Sequence, residues 1–600
     1  MGPVAILRRR LVRGQQDEGL GPFGIALLAV VIGIIAAYAA LAFRALIAGI
    51  HNLCLLGELS FVYDTNMHTA PSPLGWAVIF VPVAGAVVVV FLVRNFAPEA
   101  KGHGVPEVMD AIYYNKGVIR PIVAVVKAVV SSISIGTGGS VGREGPIIQI
   151  GAASSSWIGR LFKVSHGQLL TLIAAGGGAG IAATFNTPIA GVLFAVEILM
   201  YEVSVRTLVP VALATASATY LGQWFFGPNP AFPIPSLRLA VSAKAYLLPA
   251  YIVLGVLTAL TSVAFIRLLH ATEDRMERWI PGRDYLRHMV GMLIVGAISA
   301  TLMAVAGHYY VQGVSYATIM DVLSGSLVSL PLLASLFVLK LFVTCLTLGS
   351  GGSGGIFSPS LFMGATLGGA FGLALDALFP GLGVDPATLA LAGMAGLVGG
   401  ATGAALTGIV MIFEMTLDYA VVLPMTLTVA VSFGLRRLII TESIYTMKLV
   451  RRGHPMPEAL QSNAPMVRHV GGRFLSNVKV VAPDAPPDVL LPPEDGEGPS
   501  HFVVVDGEDI VGVVSREWVL SHPKTMAKAA TVGDFARKDF MTLASDMPLN
   551  RLLNGLREAN IAVVVASGSK RGIDGSRVLG VVTKAHLAEV IAEEMRMFER

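Results

Sequence analysis

The chain has 600 residues, of which 54% are hydrophobic and only 14% are charged, and its mean hydropathy is +0.70. A soluble globular protein of this length needs far more polar surface, so the composition excludes that class and places most of the chain in lipid. The formal net charge of +4 says little by itself. The positions of the charges along the chain are more informative.

Basic residues cluster on both sides of the apolar part of the chain. Because cytoplasmic flanks of membrane spans are enriched in Lys and Arg, we expect both termini in the cytoplasm, including an N-terminal segment at 1–20. The first apolar run is too long for a cleavable signal peptide and lacks its small-residue cleavage pattern. We therefore expect a multi-pass protein of the plasma (inner) membrane of a prokaryote. The basic residues are Arg8, Arg9, Arg10 and Arg13 before the first span, and Arg436, Arg437, Lys448, Arg451 and Arg452 after the last.

Several apolar runs predict membrane-embedded helices. Two runs, 146–159 and 359–375, are interrupted by Gly or Pro. Such broken segments predict re-entrant or half-spanning helices, which are stable only where they line protein or water. Four other runs are each long enough to cross about 30 Å of hydrocarbon at about 1.5 Å per residue. These four lie at 24–43, 76–93, 245–266 and 289–307.

The apolar part of the chain also repeats itself. The stretch GTGGSVGREGP at 136–146 aligns with GSGGSGGIFSP at 349–359, and six of the eleven positions are identical. We therefore predict a transmembrane domain at 21–455 with repeat halves at about 21–230 and 240–455. Repeats with interrupted helices are typical of transporters that bind their substrate where the repeats meet. Further pairs align in the same order: Lys127 with Lys340, Gly176 with Gly393, Gly191 with Gly408, and Glu197 with Glu414.

Each repeat has a Gly-rich loop that ends in Pro146 or Pro359, directly before a short apolar run. Proline is favoured in the first helical turn, and the glycines let consecutive backbone N–H groups face outward. Free N–H groups at the positive end of a helix dipole bind anions rather than cations. Two such helix ends that meet inside the membrane would hold a small anion weakly enough to release it.

Glu144 lies in the first of these loops, where its carboxylate would compete with the anion. Deprotonated, it could occupy the site, and protonated, it would swing away, so we predict that Glu144 is a gate that couples flux to pH. A structural ion pair with Arg143 is the alternative, although adjacent side chains seldom face each other on regular structure. We expect Arg143 to act on the anion through its charge rather than as a direct ligand.

After Pro455 the chain becomes mixed in polarity, with loops such as APDAPPD and PPEDGEGPS. This change predicts a separate soluble domain at 456–600, which is cytoplasmic if the charge argument holds. The segments 501–520 and 562–590 both read as strand, turn, strand and helix. The tail is therefore also a repeat.

Three motifs, with this tail, resemble the CLC family of chloride channels and chloride/proton antiporters. They are GHGVPE (102–107), GREGP (142–146) and GGIFSP (354–359), and the tail is similar to tandem CBS domains. The resemblance implies an all-α polytopic membrane fold, a CLC-like inverted repeat with re-entrant half-helices, joined to a small α/β CBS pair at 456–600. It also implies a homodimer with one pore per subunit, and neither enzymatic activity nor a cofactor or metal is expected.

In this family backbone amides hold the anion, here near Gly142–Pro146 and at Ile356 and Phe357, and a tyrosine hydroxyl from a late helix lines the pore. Tyr445 occupies that position, with an ordinary interfacial aromatic as the alternative. The expected function is movement of chloride or a similar small anion through a voltage- or pH-dependent channel or a chloride/proton antiporter. The expected anion-binding residues are His103, Gly142, Arg143, Glu144, Gly145, Ile356, Phe357 and Tyr445.

One departure from the family pattern concerns the anion. The first motif usually reads Gly-Ser-Gly-Ile-Pro, and His103 replaces the serine that faces the central anion. A neutral imidazole still donates one N–H, and a protonated one would hold an anion more strongly. Anion selectivity therefore does not carry over from chloride-selective members. The alternative is a His103 side chain turned away and bonded to a backbone carbonyl.

A second departure concerns proton transfer. Many antiporters of the family have two consecutive glutamates at the inner proton relay, but here Glu197 is followed by Ile198. Isoleucine cannot carry a proton, which leaves channel and antiporter both open. Glu197 also has a repeat mate in Glu414, and this favours a structural role for both glutamates.

The tail lacks the residues that some CBS pairs use to bind adenine nucleotides. Those pairs have an acidic residue three places after a Ser or Thr. In this chain Trp518 follows Ser515 and His586 follows Thr583, so the acid is missing from both copies. We expect a packing or dimer-stabilising role, with adenine nucleotide binding as the alternative.

Two other classes of function are alternatives. An intramembrane serine hydrolase would need Ser140 or Ser353 as nucleophile and a base within reach, and His103 is the only histidine near a motif. A membrane sensor would read a ligand through the CBS tail. The intact GREGP and GGIFSP motifs favour anion transport over both. The expected partners are the anion, the bilayer and a second copy of the chain, and not nucleic acid.

Overall fold

The structure is a computed structural model with two compact units, Met1–Met456 and Pro457–Arg600. The first unit is helical, and the second contains two small sheets. The residues described are 19–200, 203–229, 232, 245–456, 474–491, 498–507, 509–523, 530–545, 552, 555–556, 559–566 and 577–587.

Among the described residues of the first unit, the α-helices fall into two series of eight, followed by one more helix. Several of them, including α1 and α4, begin with Pro, which suits the first turn because the N–H that it lacks has no partner there. The first series is α1 Pro22–His51, α2 Val81–Phe96, α3 Val105–Tyr113, α4 Pro121–Gly136, α5 Glu144–Leu161, α6 His166–Phe185, α7 Pro188–Phe194 and α8 Val205–Phe226. The second is α9 Leu248–Trp279, α10 Asp284–Ala306, α11 Tyr316–Leu323, α12 Leu330–Gly349, α13 Phe357–Leu378, α14 Pro386–Thr402, α15 Ala405–Thr416 and α16 Val422–Ile439, with α17 Ile444–Arg451 after it.

The two series are related by an approximate two-fold axis, because contacts between them are reciprocal. The carboxylate of Glu197 accepts hydrogen bonds from the first N–H groups of α15, and that of Glu414 accepts them from the first N–H groups of α7. Contacts of this kind, in which each half makes the same contact to the other, indicate a two-fold relation. These contacts agree with two related halves, and the bounds at about 21–230 and 240–455 stay a prediction.

Eight helical segments among the described residues are long and apolar enough to cross a membrane. They include the helices at all four of the long apolar runs. Short helices that cannot span are also present, such as α3, α11 and α17, but they differ from those expected. The segment 359–375 lies in α13, which is continuous over 22 residues, or about 33 Å at about 1.5 Å per residue.

The glycines of α13 do not interrupt the helix, because they lie where it packs against α14. A Cβ at Gly364 or Gly368 would run into backbone oxygens of Gly393 and Leu389 on α14. Without Cβ atoms the two helices can approach closely, as small residues allow in membranes. The expectation of a half-spanning helix at 359–375 was therefore wrong in length, because these glycines allow close packing against α14 and do not interrupt α13.

The second unit repeats one three-stranded arrangement. In each copy the first strand is parallel to the second, which is antiparallel to the third, and both second strands have a register shift near their ends. The helix α18 Arg516–Ser521 follows the first copy. Most of the helix expected after the second copy lies outside the described residues. The strands are β1 Val478–Val481, β2 His501–Asp506 and β3 Asp509–Ser515, then β4 Phe540–Ala544, β5 Ile561–Val565 and β6 Val578–Thr583.

Candidate anion site

The two Gly-rich loops meet at the junction of the repeats. The Gly142 N–H donates to the Gly355 carbonyl at 2.7 Å, and the Gly355 N–H donates back to the Gly142 carbonyl at 2.6 Å. This reciprocal pair brings together the first turns of α5 and α13, both of which begin within two residues of it. The sequence prediction that two helix N-termini converge is confirmed.

Backbone donors remain free at these helix ends. The N–H groups of Gly145, Ile356 and Phe357 make no hydrogen bond to any residue that the structure describes. A Cβ at Gly145 would collide with the carbonyl oxygen of His103, so only glycine allows the first motif to pack against the second. Buried N–H groups without partners are costly, and an anion would satisfy them.

The Glu144 carboxylate lies among these donors. It accepts a hydrogen bond from the Tyr316 hydroxyl at 2.5 Å, one from the Ser358 hydroxyl, and one from the Ser358 backbone N–H at 3.2 Å. Only 1% of Glu144 is exposed. The side chain therefore occupies the N-terminus of α13, where the sequence analysis placed the anion.

Sequence reasoning missed Tyr316 and Ser358. Tyr316 is the first residue of α11, far from any of the three motifs, and nothing in its local sequence indicates a contact with Glu144. Ser358 lies within GGIFSP. A hydroxyl in a motif that is predicted to hold the anion is a signal by which the sequence could have identified this residue. The two hydroxyls also lie within 2.9 Å of each other.

Arg143 does not pair with Glu144. Its guanidinium lies over the rings of Phe185 and Tyr316, with the Cζ atom 5.9 and 5.2 Å from their centroids. No carboxylate of a described residue lies within 4.0 Å of it. The alternative of a structural Arg143–Glu144 ion pair is not what the structure contains.

His103 and Tyr445 lie on the other side of the loops. Their ring centroids are 5.7 Å apart, and both residues are buried. The Nδ1 atom of His103 has no hydrogen-bond partner among the described residues. The side chain is thus not held by a backbone carbonyl, and its polar edge is available to a ligand.

Ion pairs fix the helix that carries Tyr445. Glu107 on α3 lies 3.2 Å from Lys448 and 2.6 Å from Arg452, and this links α3 to the C-terminal end of α17. At the other end Ser443 caps α17 by accepting from the Tyr445 N–H. These contacts position Tyr445 beside His103 rather than at a lipid interface.

Two cavities lie next to the site. The one that we call the His103 cavity has a volume of about 270 Å³ and is lined by His103, Lys448 and His270, among others. The other, the Arg44 cavity, has a volume of about 40 Å³ and is lined by Arg44 and Arg143, among others. The Arg44 cavity is lined by Arg143, which directly precedes Glu144 in the chain. The His103 cavity is lined by His103, whose ring lies beside that of Tyr445.

Two buried lysines hold the loops around the site. The Lys127 ammonium donates to the carbonyls of Ala100 and Gly102, and the Lys340 ammonium donates to those of Val311 and Gly313. The pair aligned in the sequence repeat therefore has equivalent roles in the two halves. Both ammonium groups bind backbone oxygens, which is how a buried charge is tolerated.

The two glutamates paired in the sequence repeat are helix caps. Glu197 accepts from Leu406 N–H at 2.8 Å and Thr407 N–H at 2.7 Å, and Glu414 accepts from Ile189 N–H at 3.0 Å and Ala190 N–H at 2.8 Å. Carboxylates at helix N-termini satisfy free donors and the helix dipole. The adjacent Ile198 is buried in the hydrophobic core and offers no group for proton transfer.

We expect Glu414→Gln to lower the free energy of unfolding by about 2 kcal/mol, because an amide has one acceptor oxygen and loses the charge-assisted bond to one of the two N–H groups. Thermal unfolding in detergent measures this. Glu58→Gln is the matched control, since Glu58 is exposed. Equal unfolding temperatures for the two variants would contradict the capping role.

The serines considered as nucleophiles have other partners. The Ser140 hydroxyl donates to the Val311 carbonyl at 2.8 Å, and the Ser353 hydroxyl donates to the Ala100 carbonyl at 2.7 Å. Neither contacts a histidine in the described part of the chain. A hydrolase needs a base bonded to its nucleophile, so the geometry gives the serines a packing role.

The geometry defines a class of membrane protein. It is a polytopic helical membrane protein in which two repeats meet at free helix N-termini, with a carboxylate held between them. The family model described as "Voltage gated chloride channel" matches residues 85–437, and one described as "CBS domain" matches residues 532–593. The chain belongs to the CLC family and has CBS domains at its C-terminal end.

Curated relatives agree with this assignment. The H(+)/Cl(-) exchange transporter ClcA of Yersinia pseudotuberculosis is 32% identical over 425 residues, which cover 70% of this chain and 86% of the relative. ClcA of Vibrio parahaemolyticus is 30% identical over 448 residues, covering 72% and 91%. These relatives are transporters, and the chain is accordingly not an enzyme.

Solved structures share the fold. A slow cyanobacterial Cl-/H+ antiporter matches with a TM-score of 0.62 and 25% identity, covering 71% of this chain and 97% of that one. A eukaryotic CLC transporter matches with a TM-score of 0.60 and 20% identity, and it covers 94% of this chain and 97% of that one. The expected fold class, an all-α inverted repeat with a small α/β CBS tail, is confirmed.

Proposed function

We propose that the chain exchanges chloride, or a similar small monovalent anion, for protons across the membrane. The observation that carries this proposal is the Glu144 carboxylate bound at the N-terminus of α13, among donors suited to a free anion. A negatively charged side chain in such a place is a tethered competitor of the anion. The names of the relatives, which are proton/chloride exchangers, support the same activity.

In this mechanism protonation of Glu144 opens the path. The neutral carboxyl binds its donors more weakly than the carboxylate does, so the side chain leaves and an anion replaces it. The anion is then held by the free N–H groups of Gly145, Ile356 and Phe357. The protonated side chain then releases its proton on the opposite side, and its return as the carboxylate expels the anion, so that one proton moves against the anion.

His103 and Tyr445 form the part of the pathway next to the His103 cavity. We propose that the free edge of the imidazole and the tyrosine hydroxyl contact the anion as it moves between this cavity and the Glu144 site. Gly142 and Arg143 complete the anion-binding set, the first through the backbone and the second through its charge. None of these contacts requires a cofactor.

A passive anion channel is the second candidate, and Ile198 favours it. This residue replaces the glutamate that many antiporters of the family use on the inner side, and it is buried among apolar groups. An exchanger with this sequence must deliver protons to Glu144 by the His103 cavity instead. The two candidates share the anion site and differ only in whether protons move.

A reversal-potential measurement separates the two candidates. Purified protein in lipid bilayers is given a chloride gradient, with and without an opposing pH gradient. An exchanger changes its reversal potential when the pH gradient is applied, whereas a channel follows the chloride gradient alone. Absence of any anion current would reject both.

We also propose the arrangement of the chain in the membrane. By the positive-inside tendency, the basic residues at the end of α16 and on α17 support a cytoplasmic C-terminal side, and the proposed location is the inner membrane of a prokaryotic cell. By family likeness it forms a homodimer with one pore per subunit. The CBS pair stabilises the assembly, and the positions Trp518 and His586 give no acidic contact for a nucleotide ribose.

The membrane unit contains every residue of the proposed pathway. We therefore expect a chain that ends after Met456 to keep anion flux within about twofold of the full chain, because every residue of the proposed pathway lies in the unit Met1–Met456. Flux from liposomes containing the dimeric truncated protein measures this. Complete loss of flux in a folded, dimeric truncation would show that the tail is required for transport.

A further inference from the structure

Two arginines face the Arg44 cavity from different elements. Arg44 lies near the C-terminal end of α1, and Arg143 lies just before α5. The rest of the lining is largely polar and includes Thr69, Gln312 and Ser315. A cavity in a membrane protein ordinarily avoids two uncompensated positive charges.

Neither guanidinium has a polar partner in the described part of the chain. Arg44 lies over the Phe226 ring with its Cζ atom 4.5 Å from the centroid, and Arg143 lies over Phe185 and Tyr316. Only 6% of Arg143 is exposed, and its Nε atom is buried without a hydrogen bond. The aromatic faces hold the planar groups in place and leave their N–H donors unsatisfied.

The nearby acidic groups are engaged elsewhere or too distant. Asp321 lies 2.6 Å from His68, which itself lines the cavity, and no described carboxylate, Asp64 included, is within 4.0 Å of Arg44. Among the described residues of the lining, Arg44 and Arg143 are therefore the cations that no carboxylate neutralises at ion-pair distance.

We propose that Arg44 and Arg143 form a second anion-binding site, distinct from the His103 cavity, which holds a halide or nitrate beside the residue that precedes Glu144. The volume of about 40 Å³ has room for one small anion and excludes phosphate esters and nucleotides. The planar forks of two arginines suit a desolvated anion. The proposal rests on the proposed anion transport, since it takes the ligand to be the transported ion.

The site predicts an asymmetry between the two sides of the membrane. In planar bilayers, chloride is varied on one side at a time while current is recorded. For Arg44→Gln we expect the half-saturating chloride concentration to rise about fivefold when chloride is varied on the side of the membrane nearer the Arg44 cavity (the Arg44 side). It should stay unchanged when chloride is varied on the side nearer the His103 cavity (the His103 side), because the substitution removes a positive charge from the Arg44 cavity alone. Arg44→Lys, which keeps the charge, should raise it less.

Arg94→Gln is the matched control, because Arg94 is exposed and lines neither cavity. Equal changes on both sides, or no change on the Arg44 side, would overturn the proposal while leaving anion transport intact. If the wild type carries no anion current, the proposed function itself fails. Should Arg44→Gln not fold, Arg44→Met, which also removes the charge, decides by the same criterion, and an unchanged value on the Arg44 side rejects the site.

Discussion

Replacing Glu144 by Gln should give an anion flux that no longer changes with pH. In the wild type the deprotonated carboxylate is held by two hydroxyls and one backbone N–H, so we expect flux to be at least about tenfold lower at high pH than at low pH. A glutamine is neutral at every pH and resembles the protonated state, so the path stays open. Flux from liposomes at a series of pH values measures the effect.

Tyr316→Phe is the intermediate variant for this test. It keeps the carboxylate and removes one of its donors, so the charged state is less stabilised and the fall in flux should move to higher pH. Proton movement should be lost in Glu144→Gln and kept in Tyr316→Phe. If Glu144→Gln retains the wild-type pH profile, Glu144 is not the gate.

Replacing His103 by Ser should change which anion the protein prefers. The imidazole is larger than a hydroxymethyl group and carries a polar edge with no protein partner, so we propose that this edge contacts the anion directly. A serine hydroxyl is smaller and more strongly suited to the compact chloride ion. We expect the permeability ratio of nitrate or bromide to chloride to change by about threefold to tenfold, the range of one altered polar contact.

Reversal potentials in mixed-anion solutions measure this ratio. The Glu144→Gln background removes the competing carboxylate, so the comparison reports on the anion contacts alone. His522→Ser in the tail is the matched control, since His522 is exposed and belongs to the other unit. Identical permeability ratios for His103→Ser and its background would show that His103 only packs against Tyr445.

Much of the architecture could be read from local patterns. The apolar runs predicted the long helices, and the aligned pairs Lys127 with Lys340 and Glu197 with Glu414 predicted two related halves. These features depend on residue type and spacing, which a linear chain displays directly. The length of α13 was misjudged because a glycine that breaks a helix and a glycine that packs against one look the same in sequence.

The contacts that define the site could not be read in this way. Tyr316 lies 172 positions from Glu144, and no periodicity links them until α11 is folded against the Gly-rich loops. The same holds for Arg44, which reaches the cavity beside Arg143 only because α1 packs next to α5. The sequence by itself determined the membrane class, the repeat, and the helix ends rich in free donors. Only the tertiary structure decided which side chains accept hydrogen bonds from those donors and which donors stay without a partner. Hydrogen bonds between residues so far apart in the chain depend on how whole helices pack.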